Sequence, residues 1–223
     1  MAKYSRIEVV LKMKETGMVP IFFHQDINVC KNVMQAVYNG GVRIFEFVNR
    51  GDFGHRIFSE LNEFTIIKLP GMIVGAGSII DAPTAALFIQ EGANFIVSPL
   101  LNPEMAKICN RKKILWIPGC GTVSEINYAE ELGAEICKIF PTDQVSGPEF
   151  VRKVKGPCPW TSMMPTGSID PTEENLKKWF DAGVPCVGIG SQLFNKTDIE
   201  QSNFSAITKK IRNILEIIKK VRT

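Results

Sequence analysis

Histidine is nearly absent from this chain: two in 223 residues, His24 and His55. That argues against a catalytic metal centre built on several imidazoles. Cysteine occurs six times, at 30, 109, 120, 137, 158 and 186, yet never as a CxxC pair. Several of these lie within apolar runs, as small buried hydrophobes do in a reducing compartment, and they form neither a disulfide frame nor a zinc motif. The formal net charge of +3 lacks the basic excess of a nucleic-acid binder. No uninterrupted apolar run is long enough to span a bilayer. The N-terminal "MAKYSRIEVVLKMKETG" lacks the apolar centre of a signal peptide. The expectation is a cytoplasmic protein with no nucleic-acid or membrane partner. Low-complexity segments and linkers are missing too, which favours one domain over residues 1–223.

What is there is an alternation. Apolar, β-rich runs stand at "VPIFF" (19–23), "VRIFEFV" (42–48), "MIVGA" (72–76), "NFIVSP" (94–99), "ILWIP" (114–118), "AEICKIF" (134–140), "WTSMMPT" (160–166) and "PCVGIG" (185–190). Helix-like stretches lie between them, over 26–39, 52–64, 81–91, 103–110, 122–132, 148–154 and 172–181. A last helix is expected over about 203–220, with a short one before the first strand. From Lys209 to Arg222, Lys and Arg interleave with Ile and Leu. This reads as an amphipathic helix with a solvated basic face, the alternative being a membrane-surface or acidic-partner role. "NGGVRIFEF", "QEGANFIVS", "ELGAEICKIF" and "DAGVPCVGIG" share one plan, a glycine that ends a helix and hands over to a strand. Asp81, followed by Pro83 and Thr84, has the form of a helix cap. Eight strand signals alternating with eight helix signals predict a parallel sheet closed into a (β/α)8 TIM barrel, with a short N-terminal helix and a C-terminal helical extension. An open doubly wound sheet is the alternative, but no GxGxxG follows the first strand.

Two charges sit where apolar strands should bury them. Lys138 shares a strand face with Ile136 and Phe140; Glu46 shares one with Ile44 and Val48. A buried charge is costly unless it is paired or gives up its ionised form. Three readings of Lys138 follow: a snorkelling surface residue, a paired core charge, or a nucleophile. The third gains weight from position, because barrel chemistry sits at the C-terminal strand ends. A free lysine has a pKa of about 10.4, and desolvation and a neighbouring cation, for which Arg50 is the candidate, both favour the neutral amine. Such an amine adds to a ketone to form an imine, with Glu46 placed to shuttle protons. The planar fork of Arg50 suits a carboxylate, so the electrophile expected is a small-molecule 2-keto acid. "PTGS" (165–168) and "GIGS" (188–191), at the ends of the seventh and eighth strands, offer backbone N–H groups and hydroxyls for a phosphate, and are expected at helix N-termini.

"FEFVNR", "GAGS", "SP", "IPG", "TVSE", "KIFP", "PTGS" and "GIGS", in this order, resemble the 2-keto-3-deoxy-6-phosphogluconate (KDPG) aldolase family, which includes the 4-hydroxy-2-oxoglutarate (KHG) aldolases. The resemblance runs from about Val19 to Phe194. It implies a metal-free, cofactor-free class I aldolase, usually a homotrimer. It further implies that Lys138 forms the Schiff base and Glu46 is the acid/base. Arg50 and Ser78 would hold the pyruvate carboxylate, Thr166 would help set the stereochemistry, and Phe140 would pack near the imine. Gly167, Ser168, Gly190 and Ser191 would hold the phosphate. The activity implied is cleavage of KDPG to pyruvate and glyceraldehyde 3-phosphate. The alternatives are cleavage of 4-hydroxy-2-oxoglutarate to pyruvate and glyoxylate, with both activities possible in one enzyme; an isomerase on a phosphate-binding barrel; and a non-catalytic sugar-acid binder.

The chain departs from the family pattern at four places. Ser78 stands where threonine is usual, and Ser168 where a second glycine is usual. Leu100 replaces the glycine of Ser–Pro–Gly and is positioned to reshape the pocket mouth. "HQD" after the first strand puts His24 either toward the site or in a structural hydrogen bond.

Overall fold

Each apolar run becomes a strand, and the runs of helix-forming residues become helices, most of them behind a side-chain cap; those that start at Gly54 and Pro148 have none. The computed structural model describes residues 2–222. Its strands are β1 (Met18–Phe22), β2 (Ile44–Val48), β3 (Ile73–Gly77), β4 (Phe95–Val97), β5 (Leu115–Ile117), β6 (Gly119–Cys120), β7 (Cys137–Ile139), β8 (Met163–Pro165) and β9 (Val187–Ile189). Its helices are α1 (Arg6–Thr16), α2 (Ile27–Asn39), α3 (Gly54–Lys68), α4 (Ala82–Gln90), α5 (Pro103–Lys112), α6 (Val123–Glu131), α7 (Pro148–Lys155), α8 (Glu173–Asp181), α9 (Lys196–Glu200) and α10 (Phe204–Val221). The caps are chemical. Asp81 accepts from the Thr84 N–H at 2.7 Å to start α4, and the Thr122 hydroxyl accepts from the Glu125 N–H at 3.2 Å to start α6. Gly133 and Gly183 leave helices at φ 89° and 94°, a left-handed turn that an L side chain would strain.

All strand pairings are parallel. One sheet runs β5-β4-β3-β2-β1-β9 and the other β6-β7-β8. They join at two seams. β5 and β6 are halves of one barrel strand, broken at Pro118, which has no N–H to donate to a ladder. The sequence predicts one unbroken fifth strand there, so eight strand signals become nine short strands. The other seam is a single bridge between Thr166 and Gly188, which joins β8 to β9. The barrel is thereby closed. The sequence gives no signal for α9 or for the 3-10 turn Thr142–Gln144.

Alternation places the core. Phe45 and Phe47 are fully buried on the outer face of β2. The Phe47 ring meets Phe58 of α3 at 5.8 Å between centroids, and Phe58 meets Phe88 of α4 at 5.2 Å. That aromatic layer fixes β2, and with it the inward direction of Glu46. Helix α1 touches β1, β2 and β5, strands spread around the circumference, so it lies across the floor of the barrel. Helix α10 buries Ile207, Ile211, Ile214 and Ile218, one stripe at helical spacing, against α2 and α8. Among the described residues, no helix is long and apolar enough to cross a membrane.

Ile211 carries the α10 seam. It is fully buried, and a Cβ on Gly40 at the end of α2 would stand 2.5 Å from its Cγ2. Ile211→Ala is expected to cost roughly 2–4 kcal/mol through lost burial and the cavity left behind, read from urea denaturation midpoints.

Candidate active site

A cavity of about 180 Å³ opens at the C-terminal ends of the strands. Glu46, Arg50, Ser78, Lys138, Phe140, Thr166, Gly167, Ser168, Gly190 and Ser191 all line it. These are the ten positions singled out from the sequence, and the barrel brings them together from β2, β3, β7, β8 and β9 or the loops that follow them. Gly188, the first residue of "GIGS", also faces it, as do Ile21, Val48, Pro99, Ile169 and Gln192, which were not assigned a role. Apolar side chains carry little chemical signal in a sequence. Gln192 was legible only as the residue after "GIGS".

Lys138 is 6% exposed and Glu46 1%. Lys138 Nζ lies 4.8 Å from the centroid of the Phe140 ring. Neither charged end makes a hydrogen bond or a contact ion pair with another described residue, and Glu46 Oε2 is buried with no partner. This answers the paired-core-charge reading: the two groups share a cavity without forming a salt bridge. Burial pushes the Lys138 ammonium well below the ordinary lysine range; the Glu46 carboxylate opposes that shift and the Arg50 guanidinium adds to it. Burial raises the Glu46 carboxyl above its ordinary range, against the pull of Lys138. In both groups desolvation outweighs mutual attraction, so both move toward their neutral forms.

Glycines make room for these groups. A Cβ on Gly77 would collide with the Glu46 carboxylate, so the adjacent strand must be bare where that side chain passes. Gly188 does the same for Thr166, whose Oγ1 would lie 2.6 Å from an added Cβ. Ser78 and Ser168 hold the left-handed region, at φ 58° and 53°. For a residue with a Cβ this conformation costs roughly 1–2 kcal/mol, and both instances fall on the cavity wall.

The anion loops differ from expectation. Neither "PTGS" nor "GIGS" sits at a helix N-terminus: α8 begins at Glu173 behind the Thr172 cap, and α9 at Lys196 behind the Asn195 cap. Short bends intervene, and the Gly190 carbonyl is taken by the Leu193 N–H. Without a helix dipole, the loops still present the N–H groups of Ser168 and Ser191, which make no hydrogen bond to another described residue, while Gly167 lies beside the Thr166–Gly188 bridge. Leu100 is exposed and turned away from the cavity, whereas Pro99 lines it. The Pro99 carbonyl occupies the space a Gly119 side chain would need, which fixes that loop. His24 does not reach the cavity; its Nδ1 accepts the Asp26 N–H at 3.0 Å and steadies the cap of α2. Among the described residues, no group of three His, Cys, Asp or Glu is placed to hold a metal ion.

A closed parallel barrel with a desolvated amine and a desolvated carboxyl in one cavity belongs to the class of barrel enzymes that work on carbonyl compounds. The match to known families narrows this. The family model described as "KDPG and KHG aldolase" covers residues 9–210, and the chain belongs to that family. It is an aldolase, a lyase acting on a small molecule. A 2-dehydro-3-deoxy-phosphogluconate aldolase of Haemophilus influenzae is 24% identical over 97% of this chain and 99% of its own length. A KHG/KDPG aldolase of Escherichia coli K12 is 28% identical over 89% and 90%. The crystal structure of the KDPG aldolase of Legionella pneumophila, with pyruvate captured as a covalent carbinolamine, superimposes with a TM-score of 0.82. It covers 91% of this chain and 96% of that one at 24% identity, a likeness of fold.

The buried amine gives a signed pH prediction. A group whose folded pKa is depressed contributes stability at pH above its unfolded value, and loses it as pH falls through the folded one. Lys138→Met is therefore expected to be more stable than the parent at pH 7. The gain should shrink as pH rises toward about 10.4, where the unfolded amine is neutral too. Chemical denaturation of both proteins at several pH values measures this.

Proposed function

We propose that the chain cleaves 2-keto-3-deoxy-6-phosphogluconate to pyruvate and glyceraldehyde 3-phosphate through an imine on Lys138. The observation that carries this reading is the buried, unpaired Lys138 amine in one cavity with Glu46. The neutral amine adds to the C2 carbonyl, and loss of water from the carbinolamine gives a protonated imine. Glu46, as carboxylate, takes the proton of the C4 hydroxyl, directly or through one water, while the C3–C4 bond breaks and its electron pair moves into the imine as an enamine. The aldehyde leaves. Glu46, now protonated, returns the proton to C3, and water releases pyruvate from the imine. Burial suits Glu46 to both halves of this exchange, because a raised pKa makes it a better acceptor than an exposed carboxylate.

In this reading Arg50 and Ser78 hold the substrate carboxylate at the mouth. Phe140 covers the imine, and Thr166 bears on the face of the aldehyde. The N–H groups and hydroxyls of Gly167, Ser168, Gly190 and Ser191 receive the phosphate. The same cavity supports 4-hydroxy-2-oxoglutarate as a second substrate, since that acid shares the 2-keto-4-hydroxy core. The proposed setting is the cytoplasm, supported by six free cysteines, five of them buried. The proposed assembly is a homotrimer; the exposed apolar side chains Ile80, Leu87 and Leu100 are consistent with a covered face, and light scattering in solution tests it.

Borohydride with pyruvate should trap an adduct in the parent and none in Lys138→Ala; equal trapping would remove Lys138 from its role. Glu46→Gln should still trap pyruvate but exchange its methyl protons with solvent about 10²-fold more slowly or worse, read by NMR. In a pyruvate-coupled assay, the phosphorylated acid is expected to show at least about tenfold higher kcat/KM than 4-hydroxy-2-oxoglutarate, the worth of one or two charge-assisted hydrogen bonds. The reverse order would move the assignment to the second substrate.

A further inference from the structure

We propose that Thr142, in the turn after β7, is a positioning residue that sets Thr166 and through it the stereochemistry of the aldol step. The inference rests on the reading of Lys138 and Thr166 given above. Thr142 is 4% exposed and does not line the cavity. Its hydroxyl donates to the Thr166 carbonyl at 2.6 Å and accepts from the Thr166 N–H at 3.1 Å, across 24 residues of sequence. It also lies 3.1 Å from the Ile139 carbonyl, one residue after Lys138. One hydroxyl thus engages both backbone polar groups of Thr166 and the end of the strand that carries the amine.

This clamp sits at the weakest seam of the barrel. β8 meets β9 only through the Thr166–Gly188 bridge. The Thr166 hydroxyl has a long contact, 3.4 Å, to the Met164 carbonyl, and on its other side the bare Cα of Gly188. Besides the clamp, the backbone of Thr166 is held relative to Lys138 by the β7–β8 ladder, in which Lys138 lies opposite Met164 and Ile139 opposite Pro165. Without the clamp, Thr166 N–H still has the Ile139 carbonyl at 3.1 Å, so the ladder persists, but the Thr166 carbonyl loses its donor. The expected defect is therefore in the placement of one side chain and leaves the fold in place.

The test compares Thr142→Val, which keeps the shape and removes the hydroxyl, with Thr142→Ser, which restores it; Thr142→Ala serves if the valine variant does not fold. Each full-length protein adds pyruvate to glyceraldehyde 3-phosphate, and the ratio of C4 epimers is read by NMR beside kcat, KM and borohydride trapping of pyruvate. Thr142→Val should lower kcat about three- to tenfold, the worth of one buried hydrogen bond, and raise the share of the minor epimer. Pyruvate trapping on Lys138 should stay at the parental rate, and Thr142→Ser should recover the parental ratio. A parental epimer ratio and kcat in Thr142→Val, or a serine variant no better than valine, overturns the proposal. So does a fall in trapping that matches the fall in kcat, since that is loss of the site as a whole. A parent that traps no pyruvate instead removes the imine reading, and this inference goes with it.

Discussion

Desolvation of one amine is the constraint on which the rest of this structure depends. An ammonium in bulk water is a poor nucleophile, and taking it out of water costs several kcal/mol unless it ionises differently or finds a counter-charge. The barrel withholds the counter-charge. Glu46 shares the cavity, yet no contact ion pair forms, and its own burial favours the neutral acid. Had the two met, their attraction would have stabilised both ions and left a quiet core salt bridge. Held apart, each is pushed toward the form that can exchange a proton or attack a carbonyl. Arg50 adds to the effect on Lys138 from the mouth, where its own charge stays in water.

That arrangement needs space that a well-packed core would not leave. Barrel interiors fill with branched side chains. Here the wall beside Glu46 is Gly77, and the wall beside Thr166 is Gly188. Two serines at the rim adopt left-handed backbone, a conformation that costs energy for a residue with a Cβ. The outer layer compensates, with Phe47, Phe58 and Phe88 locking β2 to α3 and α4, and the isoleucine stripe of α10 binding α2 to α8. Stability is gathered on the outside, and the mouth of the cavity is relieved of packing.

How much of this a sequence can carry follows from the range of each interaction. The barrel was legible because hydrophobic alternation and glycine-ended helices are local and repeat. Lys138 and Glu46 were legible because each breaks the apolar pattern of its own strand. The break at Pro118 was visible only as a proline at a strand end; that the strand resumes at Gly119 depends on pairing with β7. "GAGS" was read for its serine. That its second glycine vacates space for Glu46 requires knowing the register between β2 and β3, in which Val48 lies opposite Gly77. The helix dipoles expected behind the phosphate loops were an extrapolation from turn composition, and the bends of 167–171 and 191–194 intervene. Thr142 gave no signal, because a threonine after Phe–Pro reads as turn material and its partner is distant in the chain.

The division between the two candidate substrates reduces to reach. Both place a carboxylate and a ketone at one end, so the roles proposed for Arg50, Ser78 and Lys138 apply to both alike. Both carry an anion at the far end, but the phosphate stands further from the imine carbon than the second carboxylate of 4-hydroxy-2-oxoglutarate. The donors at Ser168 and Ser191 are fixed to the barrel rim and have no partners among the described residues. A ligand that reaches them gains charge-assisted hydrogen bonds; one that falls short leaves them to water and loses only that gain. The shorter acid is therefore not repelled. On the proposed reading it is merely less well held, and one rigid barrel would discriminate between the two without excluding either.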